Sequence, residues 1–201
     1  CLCLLTAVTP ERKATESRPP SAAKVHLLHA DRLFYDDRVH RTAQILVGNV
    51  QLSHEGMLMN CDSALFYEAT NSFDAYGNVH MNQGDTVLLD SEVFYYNGID
   101  RLARARHDVV LKHGTMTIYT DSLDYDRLYN LGYFFEGGRV LDHDNELTSD
   151  WGEYSPVTRE AVFNYNVRLV NPAPPARPQT ILISDTLHYN TETAIAHIVG
   201  P

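Results

Sequence analysis

An internal repeat constrains the fold of this 201-residue chain more than any other feature. Segments 28–35, 59–66, 87–94, 118–125, 147–154 and 182–189 share one pattern: an apolar residue, two variable positions, an Asp, and an aromatic residue four places beyond it. The Asp residues are Asp31, Asp62, Asp90, Asp121, Asp150 and Asp185, at steps of 31, 28, 31, 29 and 35. The longest step holds the Pro-rich insert 171–178, a loop by composition. A second landmark keeps phase with the first: Gly48-Asn49-Val50, Gly77-Asn78-Val79, His107-Asp108-Val109, Gly138-Arg139-Val140 and Tyr165-Asn166-Val167. Each Val lies 19, 17, 19, 19 or 17 residues beyond its Asp. Two phased landmarks define a repeat architecture in which each unit is completed by its neighbours.

Each unit reads as two strands and two turns. In the second unit the spacing predicts a strand over 57–67, a turn over 68–72, a strand over 73–81 and an exit turn over 82–84. The third unit carries Asn97-Gly98, a short hairpin signal. Tight turns between paired strands make an antiparallel meander. Twelve Tyr and seven Phe against one Trp favour strands as well.

Along the first strand of a unit the apolar positions fall three and one before the Asp, while the aromatic falls four after it. These sets are out of phase for a period of two. A slip at the Asp-Ser step is what a bulge or sharp corner produces, with the Asp and Ser side chains binding the backbone groups left unpaired. The second strand alternates more simply. Phe73, Ala75, Gly77, Val79 and Met81 share one face, as do Ala161, Phe163, Tyr165, Val167 and Leu169. The expected fold is all-β: an elongated antiparallel β-jellyroll or sandwich of about six two-strand repeats, with a shared apolar interior. The interior candidates are Met59, Phe66, Phe73, Val79, Leu89, Phe94, Val109, Leu111, Ile118, Phe134 and Phe163. Residue type alone leaves open whether they line a groove or form a dry core.

The two ends read differently from the body. Residues 1–8 are apolar and 9–23 polar and Pro-containing, so 1–24 is expected to be a signal-peptide remnant and flexible spacer, and 25–201 the repeat domain. The repeat breaks off where Gly200 stands at the place of Gly77, which predicts a truncated C-terminus. Cys61, in an apolar run, reads as a small core residue.

The net charge of -10 argues against nucleic-acid binding, which needs a basic face. Ten His invite a metal reading, but His26 and His29 fall on opposite strand faces, and His54, His80, His107, His113 and His143 fall at turns or on polar faces. A Ca²⁺ ladder of the repeated Asp is disfavoured, since each ion needs several converging oxygens. No metal site or cofactor is expected. Catalytic signatures such as a Gly-x-Ser-x-Gly elbow are absent from the sequence. Arg101, Arg104, Arg106 and Lys112 form the cationic cluster, which reads as a solvated strand face or as a contact for lipid phosphates at a rim.

The run Ala30-Asp31-Arg32-Leu33-Phe34-Tyr35-Asp36 and the Gly-Asn-Val turns at 48–50 and 77–79 resemble the OstA-like, or organic-solvent-tolerance, family over about residues 25–201. The resemblance implies a periplasmic, outer-membrane-associated β-jellyroll that binds lipopolysaccharide, with lipid A acyl chains in its interior. It implies partners among other lipopolysaccharide-transport proteins of the same jellyroll, and an edge-to-edge homo-oligomer. The rival readings are a lipid-free structural or adhesive scaffold and a parallel β-helix acting on polysaccharide. The second predicts about three short strands per coil and an acidic cleft.

Overall fold

A computed structural model describes residues 24–36, 38, 40–84, 87–171 and 179–199. The expected leader remnant and spacer over 1–23, insert residues 172–178 and the end at 200–201 lie outside the described residues. The strands are β1 (His26–His29), β2 (Arg32–Asp36), β3 (His40–His54), β4 (Met57–Tyr67), β5 (Ser72–Gln83), β6 (Val87–Asn97), β7 (Leu102–His113), β8 (Met116–Asp126), β9 (Leu131–Phe134), β10 (Gly138–Asp142), β11 (Asn145–Ser149), β12 (Trp151–Ser155), β13 (Glu160–Asn171), β14 (Thr180–Asn190) and β15 (Ile195–Val199). They form one 15-stranded sheet. Every pairing in it is antiparallel, which removes the parallel β-helix.

The topology is simpler than the strand count suggests. β1 and β2 both pair with β3, on its two halves: Leu27 opposes Leu52 and Leu33 opposes Leu46. β10 and β9 divide β8 in the same way, and β11 and β12 divide β13. Each such pair is one strand broken at a corner, and β3 to β8 bend at the same level without breaking. The sheet is therefore an up-and-down meander of bent strands, each giving one arm to each of two walls.

The corner explains both landmarks except at Gly138-Arg139-Val140, where the left-handed residue is Gly137 (φ 84°) and Gly138, opposite Thr120, stands where Val109 does on the other side of that strand. On the Asp-bearing strand the inward face changes parity as expected: Met59 and Cys61 are buried before Asp62, Ala64 and Phe66 after it. The opposite strand carries the extra residue, because Val47 faces Ser63 while Val50 faces Cys61. The backbone there is left-handed at two successive residues: Gly48 (φ 83°) and Asn49 (φ 46°), Gly77 (73°) and Asn78 (45°), His107 (63°) and Asp108 (51°), Tyr165 (64°) and Asn166 (53°). Gly and Asn are the residues that tolerate this conformation. Tyr165, expected inside, is 66% exposed because it takes the corner place of Gly77.

The Asp does hold the corner, but mostly through a side chain. Asn49 Nδ2 donates to Asp31 Oδ2 at 3.0 Å, Asn78 to Asp62 at 2.8 Å and Asn166 to Asp150 at 2.6 Å. At Asp121 a backbone N–H, that of Asp108, takes the place of the Asn. The Ser expected to cap after the Asp is replaced by a group one residue before it. Cys61, Thr120, Ser149 and Ser184 each donate to the carbonyl two residues on. In the third unit Ser91 does this, bonding Val93 O at 3.1 Å. The corner acid of that unit is thus Glu92, with Tyr96 four beyond, and not Asp90 with Phe94. The steps become 31, 30, 29, 29 and 35.

The two ends of the meander have different turns. At one rim two-residue turns carry left-handed Glu55-Gly56 and His143. At the other rim four-residue turns end in left-handed Arg101, Asn130, Arg159 and Ala194. Asn97-Gly98 opens one of these longer turns and is not a two-residue hairpin. Asn97 Oδ1 accepts the N–H groups of Ile99 and Asp100, and a Cβ at Gly98 would collide with the Asn71 carbonyl of the neighbouring turn.

The walls pack face to face over two buried clusters, one around Phe73, Phe94 and Val79, the other around Phe134, Phe163 and Val167. Cys61 belongs to the first, and burial pushes its thiol up to about 11.

Gly77→Ala tests the corner. A Cβ at Gly77 would lie 2.5 Å from Asp62 Oδ2, so the carboxylate must swing away from Asn78. Gly84 is also left-handed, at φ 60°, but a Cβ there meets nothing within 4 Å. Urea unfolding should show a loss of ~1–2 kcal/mol for Gly84→Ala. Gly77→Ala should lose ~1 kcal/mol more, the worth of the corner hydrogen bond; equal losses would remove the corner from this account.

Candidate functional site

On the side away from the corners the walls are closed by side chains rather than by a ladder. Val25 N–H donates to Asn71 Oδ1 at 2.7 Å. His54 Nε2 lies 2.9 Å from Tyr96 Oη, with the rings 4.9 Å apart. Arg127 pairs with Glu55. His113 Nδ1 lies 3.2 Å from Tyr154 Oη. Asp142 accepts Tyr189 Oη and Thr115 Oγ1, each at 2.7 Å. Burial and the Asp142 carboxylate push the Tyr189 phenol up to about 12. These contacts form a polar seam along the molecule.

Between the His54–Tyr96 and His113–Tyr154 contacts the walls part around an apolar cavity. Its volume is about 150 Å³, and it opens to solvent at its mouth. Six of the interior candidates line it: Leu89, Phe94, Leu111, Ile118, Phe134 and Phe163. The other five, Met59, Phe66, Phe73, Val79 and Val109, are buried in the adjoining core and do not line it. Space exists because the wall carries Ala103, Ala105, Gly132 and Gly152 at this level. The glycine at 152 is required, since a Cβ there would sit 2.5 Å from the Phe134 ring.

The lining also contains groups outside the eleven interior candidates. Met57, Met81 and Met116 bring flexible thioethers. His54 was expected at a turn or on a polar face; it closes β3 but is 3% exposed, folded inward onto Tyr96. His113 is half-buried at the mouth, with Tyr154 and Arg127. Burial holds both imidazoles below their ordinary value.

The cationic cluster is split by the fold. Arg106 pairs with buried Asp124 at 2.6 Å and Arg104 lies 3.6 Å from it, on the outer face. Arg106 also lies over the Phe135 ring. Lys112 is exposed on β7. Arg101 stands apart, in the turn beside Arg127, whose N–H donates to the Arg101 carbonyl at 3.1 Å.

Residues 22–174 match the model of a family described as OstA-like protein. The chain belongs to this family. No curated protein matches it. One matching solved structure is that of LptH from Pseudomonas aeruginosa, described as the LptA-homologous periplasmic component of the lipopolysaccharide transport device. It is 10% identical, with a TM-score of 0.48, over 57% of this chain and 82% of that one. For the OstA-like chain described here, the fold rests on its own ladder.

The buried histidines give the site a pH signature. A base whose value is lowered by folding binds fewer protons folded than unfolded. Its stability is therefore full above the unfolded value of about 6.5 and is lost as pH falls from there towards the folded value. Asp74 has the opposite sign, because burial raises its carboxyl. Calorimetry should show Tm falling between about pH 7.5 and about pH 5.5, a window that His titration dominates. The fall should be smaller in His54→Gln, and an unchanged slope in that variant would take the effect away from His54.

Proposed function

We propose that this OstA-like chain is a periplasmic lipopolysaccharide-binding scaffold, acting in lipopolysaccharide transport and outer-membrane assembly. The observation that carries the reading is the apolar cavity opening through a polar seam. Family membership supports it. Acyl chains enter such a space without any catalytic group, each buried CH₂ being worth about 0.8 kcal/mol, so that a dozen carbons offer on the order of 10 kcal/mol before ordering costs. Leu89, Phe94, Leu111, Ile118, Phe134 and Phe163 contact the chains directly, and Met59, Phe66, Phe73, Val79 and Val109 hold the wall behind them.

The partners follow from the sheet edges. β1 and β2 form one edge, and β15 with the 180–184 arm of β14 the other. Leu33, Phe34, Ile183 and Ile198 are exposed there. Strand edges of this kind join to other strands by backbone pairing. Other transport proteins of the same jellyroll, or further copies of this chain, fit that role.

A photoreactive residue placed in turn at Phe94, Phe163 and Ile99 tests the reading in an exporting cell. Phe94 and Phe163 line the cavity, whereas Ile99 is 70% exposed on a turn. Lipopolysaccharide adducts are expected from the first two and not from the third. No adduct from either interior position would remove lipid carriage.

A further inference from the structure

A second, polar pocket adjoins the apolar cavity. It is lined by His54, Glu55, Asn71, Tyr96, Gly98, Arg101 and Arg127. Three of these, His54, Tyr96 and Arg127, also line the apolar cavity, so the two spaces share a wall. The polar pocket holds two guanidinium groups in a protein of net charge -10. Their main chains are joined, since the Arg127 backbone N–H donates to the Arg101 carbonyl at 3.1 Å. One carboxylate, that of Glu55, occupies the pocket and pairs with Arg127. The nearby guanidinium groups, with Arg127 foremost, draw the Glu55 carboxyl below its ordinary value despite its partial burial.

We propose that Arg101 and Arg127 form a seat for the anionic headgroup of an amphiphile whose chain occupies the adjoining apolar cavity. The inference rests on the reading of that cavity as an acyl-chain site and adds where the head lies. Glu55 is the internal stand-in: its carboxylate holds the seat in the empty protein, and an incoming phosphate or carboxylate displaces it. Guanidinium groups suit this role because they present several fixed N–H donors to a planar or tetrahedral oxyanion. Arg104 and Arg106 are unsuited, being engaged by Asp124 on the outer face. The exchange explains how a strongly acidic protein accepts an anionic lipid. It offers the lipid a local positive pair that is already matched to one negative charge, so the swap leaves the count of paired charges unchanged.

Isothermal titration of the full chain with dodecyl phosphate and dodecyl maltoside, each below its micelle concentration, tests the seat with one chain length and two heads. Dodecyl phosphate should bind roughly tenfold tighter, the scale of charge-assisted hydrogen bonds. Arg101→Gln, which leaves the Arg127–Glu55 pair in place, should remove most of that preference. It should change maltoside affinity by less than about twofold. Arg127→Gln should do the same, with thermal unfolding confirming the fold. Glu55→Gln should tighten dodecyl phosphate a few-fold by freeing Arg127, an effect a purely structural role would not produce. Equal affinity for the two heads in the wild type, or equal weakening of both by the Arg variants, would overturn the seat while leaving the cavity intact. Binding of neither amphiphile would overturn the cavity reading, and the seat with it.

Discussion

Everything in this molecule depends on how an acid on one strand meets a left-handed dipeptide on the next. A long antiparallel sheet left to its natural twist has two similar faces and no reason to enclose anything. Here the Asp at the corner bonds the Asn of Gly-Asn across the ladder, at 2.8 Å for Asp62 and Asn78. The extra residue on the Gly-Asn side lets the strand turn while Val50, Val79, Val109 and Val167 stay buried. Because the same device recurs about every 30 residues, the bends line up into a spine. Two walls follow from that alignment, and the interior follows from the walls.

The spine also sorts the charge. The corner acids Asp31, Asp62, Asp121 and Asp150 face solvent along the outside, where hydration keeps their cost low. Phases of apolar residues on both arms point away from them. At the opposite side the sheet cannot close by backbone pairing, because the arms of the two walls end there in turns. Polar side chains do the closing instead, and they bring His54, His113, Arg127 and Tyr154 to the mouth of an otherwise apolar space. Amphipathic lining is thus a consequence of the geometry: grease on the arms, polar groups at the seam.

Local periodicity explains what was legible in the sequence. The meander, the parity change at the Asp and the inward set depend on residues near one another in the chain. The register of the third unit was misread, and for a physical reason. Asp90 and Glu92 are both acids, Phe94 and Tyr96 both aromatic, and each pair is two apart. A shift of two preserves the face of a strand, so alternation cannot separate the alternatives. The Ser91 hydroxyl bond separates them. The cavity was less legible than the core. Inwardness follows from a period of two, but the place where the walls part depends on small residues, Ala103, Ala105, Gly132 and Gly152, meeting across the interior. His54 was missed because its partner Tyr96 is 42 residues away and on the other wall.

The seam differs from the rest of the structure in how its strength is distributed. A wall is held by ladder hydrogen bonds all along each arm. The seam around the cavity consists of separate contacts, His54 with Tyr96, Arg127 with Glu55 and His113 with Tyr154. Each neutral one is worth about 0.5–1.5 kcal/mol net. One contact can be exchanged without disturbing the next, and none of them shares a backbone group with the ladder. Low-stability elements of this kind are where proteins place their moving parts. The same topology that prevents the sheet from closing on itself therefore places the separately exchangeable contacts at the mouth of the cavity. The spine, by contrast, is held by the Asp and Asn pairs within the ladder.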